Sequence, residues 1–347
     1  MTSVLSSLGN ALPLARSGSY WFPPQASDVA AGHDFLYDFT LWLCIVFFVA
    51  ICGATVYFTL KYRKRLGHEA VRTATHNTKL ELAWSIGPLM LLMAIFGIST
   101  YWYLHMISPP KDEYVHQIDV NAQRWNWTFK IKGEGLDGTY ECAKLHLIKD
   151  RPYQIVMTTP DNDVIHSLFI PAFRLKQDCV PGRYNKLWFR PTMTHDEAGL
   201  EDGFDLFCTE YCGTGHSDMI TKVMVYNTEA EWKAGVVADG DLTTKPALDR
   251  GRMIYERLCK SCHTIDGSAL IGPSFKGLWG KSKEMESGAS HKVDSSAEGR
   301  TYLRESVLTP GKEIVKGYPN QMTPFTWGDK TDSYLEGIEA YLESLKD

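Results

Sequence analysis

The sequence predicts a multidomain membrane protein built from a two-helix transmembrane hairpin, a β-sandwich and an all-α C-terminal domain. Three observations carry this. Phe39 to Leu60 and Leu82 to Leu104 are each more than 20 residues without a charge, the length a helix needs to cross a bilayer's hydrocarbon. A stretch of short segments rich in β-branched and aromatic residues follows, separated by Pro, Gly, Asn and Asp. The last hundred or so residues change to helical periodicity. The expected parts are an N-terminal segment 1–34, a hairpin 35–106, a β domain 107–232, a linker 233–246 and a final domain 247–347.

The charges orient the hairpin. Lys61, Arg63, Lys64, Arg65, Arg72 and Lys79 stand between the spans against only Glu69 and Glu81, which places this loop in the cytoplasm. The N-terminus and everything after Leu104 then face outward, with Tyr101, Trp102 and Tyr103 as an interfacial aromatic belt. The first residues have no apolar signal core, so a cleaved leader is not expected. Thr78 followed by Glu81 reads as a capping box for the second span. A net charge of -5 offers nucleic acid no electropositive surface.

Strands are expected in QIDVNAQRWNWTFKI, RPYQIVMTTP, HSLFIPAF, YNKLWFRP and MITKVMVYN. Trp125 and Trp127, two apart in one of them, would share a face. AGVVADGDLTTKP reads as a linker. Beyond it, LDRGRMIYERLCKSCH is expected to be helical with Asp249 as its N-cap, and the final helix sets Leu335, Ile338 and Leu342 on one face. Of eight cysteines, Cys44 and Cys52 fall in the first span as small apolar residues. Cys142 and Cys179 are two exported thiols for which a disulfide is chemically permitted.

Two clusters carry the chemistry. CTEYCGTGHSDM packs Cys208, Cys212, His216 and Met219 into a dozen residues. Thiolate and thioether favour copper over hard cations. His166, at a strand start about forty residues upstream, completes such a set. With two thiols where a single-copper site has one, bridging thiolates could hold two metal ions. A Cys2His2 zinc site is the alternative, and it leaves Met219 without a role. The second cluster, CKSCH at residues 259–263, is the c-type haem attachment signature, with Cys259 and Cys262 as thioether sites and His263 placed to meet iron.

NDVIHSLFIPAFRLKQDCVPGR followed by CTEYCGTGHSDM resembles subunit II of a haem–copper oxidase over roughly residues 35–230. The resemblance implies a cupredoxin-like fold with a binuclear copper centre, CuA. Its ligands would be the side chains of His166, Cys208, Cys212, His216 and Met219, with the backbone carbonyl of Glu210. The Glu210 carboxylate would turn toward a magnesium ion shared with subunit I. The sequence departs from the family in a long acidic stretch before Cys208 and in Cys179, where a small apolar residue is common. Residues from about 245 onward resemble a class I cytochrome c, which implies His263 and Met322 as axial ligands of a covalent haem c.

The resemblance also implies that Trp125 lies on the path of electrons into copper and that Glu81 stands near the mouth of a proton pathway. The expected function is the electron-entry subunit of a caa-type oxidase in a bacterial plasma membrane. Its partners would be subunit I, subunit III, membrane lipid and an external donor, either a soluble cytochrome c or an upstream respiratory complex. A CuA-type nitric oxide reductase subunit, a free electron shuttle and a copper carrier are the alternatives, the last disfavoured by CKSCH.

Overall fold

A computed structural model of the chain describes residues 21–67, 74–111, 113–133, 135–268 and 270–346. The first twenty residues and the loop charges Glu69 and Arg72 lie outside these. Helices α1 (Ala30–Lys61) and α2 (Thr78–Ile107) contain the two apolar runs and extend past both ends of each. Large side chains such as Trp42 (65% exposed), Phe48 (67%) and Phe96 (62%) cover their outer faces. An apolar surface of that kind is stable only under hydrocarbon, so the chain is membrane-anchored.

The cap of α2 differs from expectation by one residue. Asn77, not Thr78, accepts from the Leu80 amide at 3.2 Å, and the Glu81 carboxylate accepts from the Asn77 amide at 3.1 Å. Asn is among the strongest N-caps, and Thr78 becomes the first helical residue.

Ten strands form a cupredoxin-like sandwich of two five-stranded sheets. One has the order β3 (Tyr140–Cys142), β2 (Asn126–Ile131), β1 (His116–Gln123), β5 (Tyr153–Thr158), β8 (Asn185–Phe189). The other runs β4 (Leu145–Ile148), β10 (Ile220–Tyr226), β9 (Phe204–Cys208), β6 (His166–Ile170), β7 (Leu175–Cys179). Pairs β1–β5 and β4–β10 are parallel and the rest antiparallel. Phe129, Phe173, Phe189 and Phe204 are fully buried between the layers, each contributing roughly 1.5–3 kcal/mol of apolar transfer.

QIDVNAQRWNWTFKI is not one strand. It folds back at Arg124–Trp125, pairing Gln123 with Asn126, so Trp125 sits in the turn and Trp127 in β2. The two indoles therefore do not share a face by alternation along a single strand. The segment before α1 is laced to the sandwich by Ala26 N–H to Ala172 O (2.9 Å), and the start of α1 by the Arg174–Asp34 ion pair (2.7 Å).

Half of the expected linker is helix. In α3 (Glu229–Gly240), Thr228 and Glu231 form a capping box, and Trp232 and Val236 are buried against the sandwich. Only Asp241–Pro246 then connects to the C-terminal domain. There α4 (Ala247–Ile254) begins directly after Pro246, two residues before the expected cap. Asp249 lies in its first turn, where a carboxylate complements the helix dipole, and pairs with Arg252 at 2.7 Å. A wide π-turn over Tyr255–Cys259 leads into the CKSCH loop. Helices α5 (Ala297–Leu308) and α6 (Thr331–Ser344) close the domain, with Leu335, Ile338 and Leu342 buried. The domain is not wholly helical, because β11 (Ser282–Glu284) and β12 (Ser290–Lys292) form a small hairpin.

Candidate metal centre

Strand pairing brings the first donor set together. Strand β6 starts at His166 and β9 ends at Cys208, and the two strands are antiparallel neighbours in one sheet. The following loop folds back so that Cys208 N–H reaches Met219 O at 3.2 Å. The Cys208 and Cys212 sulfurs are 3.8 Å apart. His166 Nδ1 lies 3.9 Å from Cys208 Sγ, and His216 Nδ1 lies 3.4 Å from Cys212 Sγ. The Glu210 carbonyl is 3.3 Å from Cys208 Sγ, and Met219 Sδ is 4.0 Å from Cys212 Sγ. Each thiol thus has one imidazole and one weak donor beside it. His166, Cys208, Cys212 and Met219 are buried, while Glu210 and Tyr211 face outward.

This arrangement lowers the cost of ionising a thiol. The Cys212 thiol hydrogen-bonds the Cys208 sulfur and holds Cys208 far below the usual thiol range, and Cys212 is correspondingly raised. Burial works against protonating His166, but the Asp163 carboxylate and Cys208 outweigh it and raise its pKa. The set suits soft cations, and its two sulfurs are close enough to be shared by two ions.

Two indoles clamp the loop. Trp125 Nε1–H donates to Cys212 O at 3.1 Å, and Trp127 Nε1–H donates to Met219 O at 3.3 Å. The Trp125 ring lies against Gly215 so closely that a Cβ there would meet it at 2.6 Å. Behind the site, Asp163 accepts from the Arg124 amide at 2.9 Å and lies 3.6 Å from His166 Nε2. Sequence reading missed Asp163, Arg124 and the Trp127 contact, because no local pattern announces a partner 39 or 92 residues away.

The second donor set lines one apolar cleft. Cys259, Cys262, His263 and Met322 share it with Phe275 and Leu303. His263 Nδ1 lies 2.8 Å from Pro273 O and its ring stacks on Phe275, with centroids 4.5 Å apart. Donation from Nδ1 fixes the tautomer with Nε2 free as a ligand atom. Burial pushes the His263 pKa down, which keeps the imidazole neutral, and pushes the Cys259 thiol up to about 12. A Cβ at Gly272 would meet the His263 ring at 2.4 Å, so only glycine lets the chain pass. The two thiols, the neutral imidazole, the thioether and the apolar walls together fit a c-type haem.

The clefts adjoin. Arg124, next to Trp125, lines the wall of the cleft holding Cys262, and Cys262 and Ile271 pack on the sandwich core. Glu81 lies apart, at the start of α2, 3.5 Å from His76. Cys142 and Cys179 are free and buried. Cys142 joins His146 and Asp239 in a buried group with potential ligand atoms within 4.8 Å. That group is already satisfied. His146 Nδ1 lies 3.0 Å from Tyr226 Oη and Nε2 lies 3.2 Å from Asp239, which Arg257 pairs at 2.8 Å. The Arg257 guanidinium neutralises Asp239, so the group is a polar joint between the domains.

The chain is similar to known proteins in two of its parts. Residues 15–100 match the model for "Cytochrome C oxidase subunit II, transmembrane domain", and residues 143–225 match "Cytochrome C oxidase subunit II, periplasmic domain". The chain is 26% identical over 326 residues to cytochrome c oxidase subunit 2 of Alkalihalophilus pseudofirmus, covering 90% of this chain and 88% of that one. It is 25% identical over 242 residues to alternative cytochrome c oxidase subunit 2 of Bradyrhizobium diazoefficiens, covering 62% and 82%. The crystal structure of the periplasmic domain of subunit II of cytochrome oxidase (CoxB) of Bradyrhizobium japonicum is similar at 24% identity and a TM-score of 0.29, covering 39% of this chain and 100% of that one.

Proposed function

Since the chain belongs to the cytochrome c oxidase subunit II family, we propose that it is the electron-entry subunit of a caa-type haem–copper oxidase, with a haem c domain fused behind a CuA domain. The observation that carries this is the gathering of His166, Cys208, Cys212, His216 and Met219, with successive donor atoms 3.4–4.0 Å apart. When bound, the copper pair and the haem would take up and release single electrons.

The chain's own residues explain how such a site works. Cys208, Cys212, His166, His216 and Met219, with the Glu210 carbonyl, would together hold the copper pair, a soft donor set suited to it. Trp125 and Trp127 fix the loop carbonyls, so little of the protein has to move when the charge changes. His263 and Met322 would hold the haem iron, a ligand pair that raises a haem's potential. Trp125 bonds the Cys212 carbonyl and follows Arg124, which lines the haem cleft, so it would lie on the path between the two. Glu210, facing outward, would reach a magnesium ion at subunit I.

Electrons would pass from an external donor to haem c, then to copper, then to the oxygen-reducing centre of subunit I. The hairpin would anchor the chain in a bacterial plasma membrane, beside subunit I and subunit III. Glu81 is engaged in capping α2. In this reading it also stands at a proton entry, and Glu81→Gln would slow turnover with the metal spectra intact.

The test is an alkaline-pyridine haem spectrum and a copper determination on the complex isolated through this chain in mild detergent. Haem a with haem c and two coppers per chain are expected. Haem b with c would move the assignment to nitric oxide reduction. Haem c without any partner haem would mean an electron shuttle.

A further inference from the structure

The turn between β1 and β2 does more than connect them. Its Arg124 has one side in the haem cleft, among Cys259, Cys262 and His263. On the other side its Nε lies 2.7 Å from Asp163 Oδ1, its amide donates to Asp163 Oδ2 at 2.9 Å, and its Nη2 donates to Asn162 O at 3.3 Å. Asp163 is nearly inaccessible at 1%, and its Oδ1 lies 3.6 Å from His166 Nε2. Val164 N–H closes the same carboxylate at 2.7 Å. A single ion pair therefore spans the gap between the wall of one cleft and the back of an imidazole in the other.

We propose that Arg124 is a positioning residue of the electron-entry path, acting through Asp163 to set the orientation and charge environment of the copper-facing His166 ring. This rests on the copper and haem reading above.

A carboxylate behind a ligand imidazole makes that imidazole a better donor and stabilises the more positive, oxidised metal. A guanidinium at 2.7 Å cancels most of that effect in a site sheltered from water. The pair therefore holds His166 in place while limiting the carboxylate's pull on the copper potential. Arg124 also lines the cleft wall that holds Cys259 and Cys262, so one side chain borders both donor sets.

Opposite shifts are the signature. In the full complex, Arg124→Gln leaves Asp163 uncompensated and lowers the copper midpoint potential, whereas Asp163→Asn removes the carboxylate and raises it. Arg124→Lys restores most of the shift. Asp163→Asn also weakens copper retention against a chelator roughly tenfold, the scale seen when a partner behind a ligand is lost. The copper electron paramagnetic resonance spectrum changes in both variants, while covalent haem c content stays at the parental level. Shifts of the same sign, or none, would reduce the pair to packing and overturn the proposal. A parental complex without copper or haem would instead overturn the functional reading, before any variant is compared.

Discussion

The Trp125 indole donates to the Cys212 carbonyl at 3.1 Å, joining the β1–β2 turn to the thiol loop across 87 residues of chain. The bond lies in a buried, largely apolar setting, and among the described residues no second donor reaches that carbonyl. Trp125→Phe keeps most of the ring and deletes the donor. Leaving a buried acceptor unpaired costs about 1–3 kcal/mol, so the variant should unfold at lower denaturant and its copper absorption bands should shift. An unchanged midpoint and spectrum would mean that water replaces the indole.

Gly215 tests the same clamp from the other side. An alanine Cβ would stand 2.6 Å from the Trp125 ring, so ring or loop must move. Gly215→Ala is expected to retain haem c and to lose copper on dialysis against a chelator. Full copper retention would show that the loop yields without disturbing its donors.

The joint between the domains should be sensitive to acid. Burial pushes Asp239 up, but His146, Arg257 and the Lys144 amide outweigh it and hold its pKa below the usual carboxylate value. A depressed folded-state pKa stabilises at pH above the unfolded value, about 3.9, and that stabilisation is lost as pH falls through the folded value. Protease sensitivity of Asp241–Pro246 should therefore rise sharply below about pH 4. Asp239→Asn should show the same sensitivity at neutral pH, since breaking one side of a buried pair costs about 3 kcal/mol. Equal resistance of parent and variant at pH 7 would remove Asp239 from this role.

Met322 offers a test of the haem assignment that does not depend on oxygen turnover. Met322→Ala keeps Cys259, Cys262 and His263, so haem c should remain covalently attached while its midpoint potential falls, because a thioether axial ligand raises it. A redox titration that matches the parent would place Met322 in the cleft wall only.

Legibility followed the range of the interaction. The membrane helices were readable because hydropathy is a local property, and CTEYCGTGHSDM and CKSCH because most of their donors are neighbours in sequence. Strands β3 and β4 escaped notice because three and four residues are too few for a period. Strand β7, LKQDC, reads as polar, and β9 is hidden at the end of an acidic stretch. The break at Arg124–Trp125 carries no Gly, Pro or Asn of its own, so nothing marks it as a turn. Helix α3 did have a signal, Thr228 followed by Glu231, masked by the small and polar residues after it. The Arg124–Asp163–His166 chain had none, since it exists only once the strands are paired.

The six residues Asp241–Pro246 have a kinetic consequence. A donor held on so short a leash meets its acceptor at a local concentration set by geometry, of millimolar order for short tethers. Transfer between the two clefts should therefore be first order, indifferent to dilution and nearly indifferent to ionic strength. Screening by salt would act only on the encounter with the external donor.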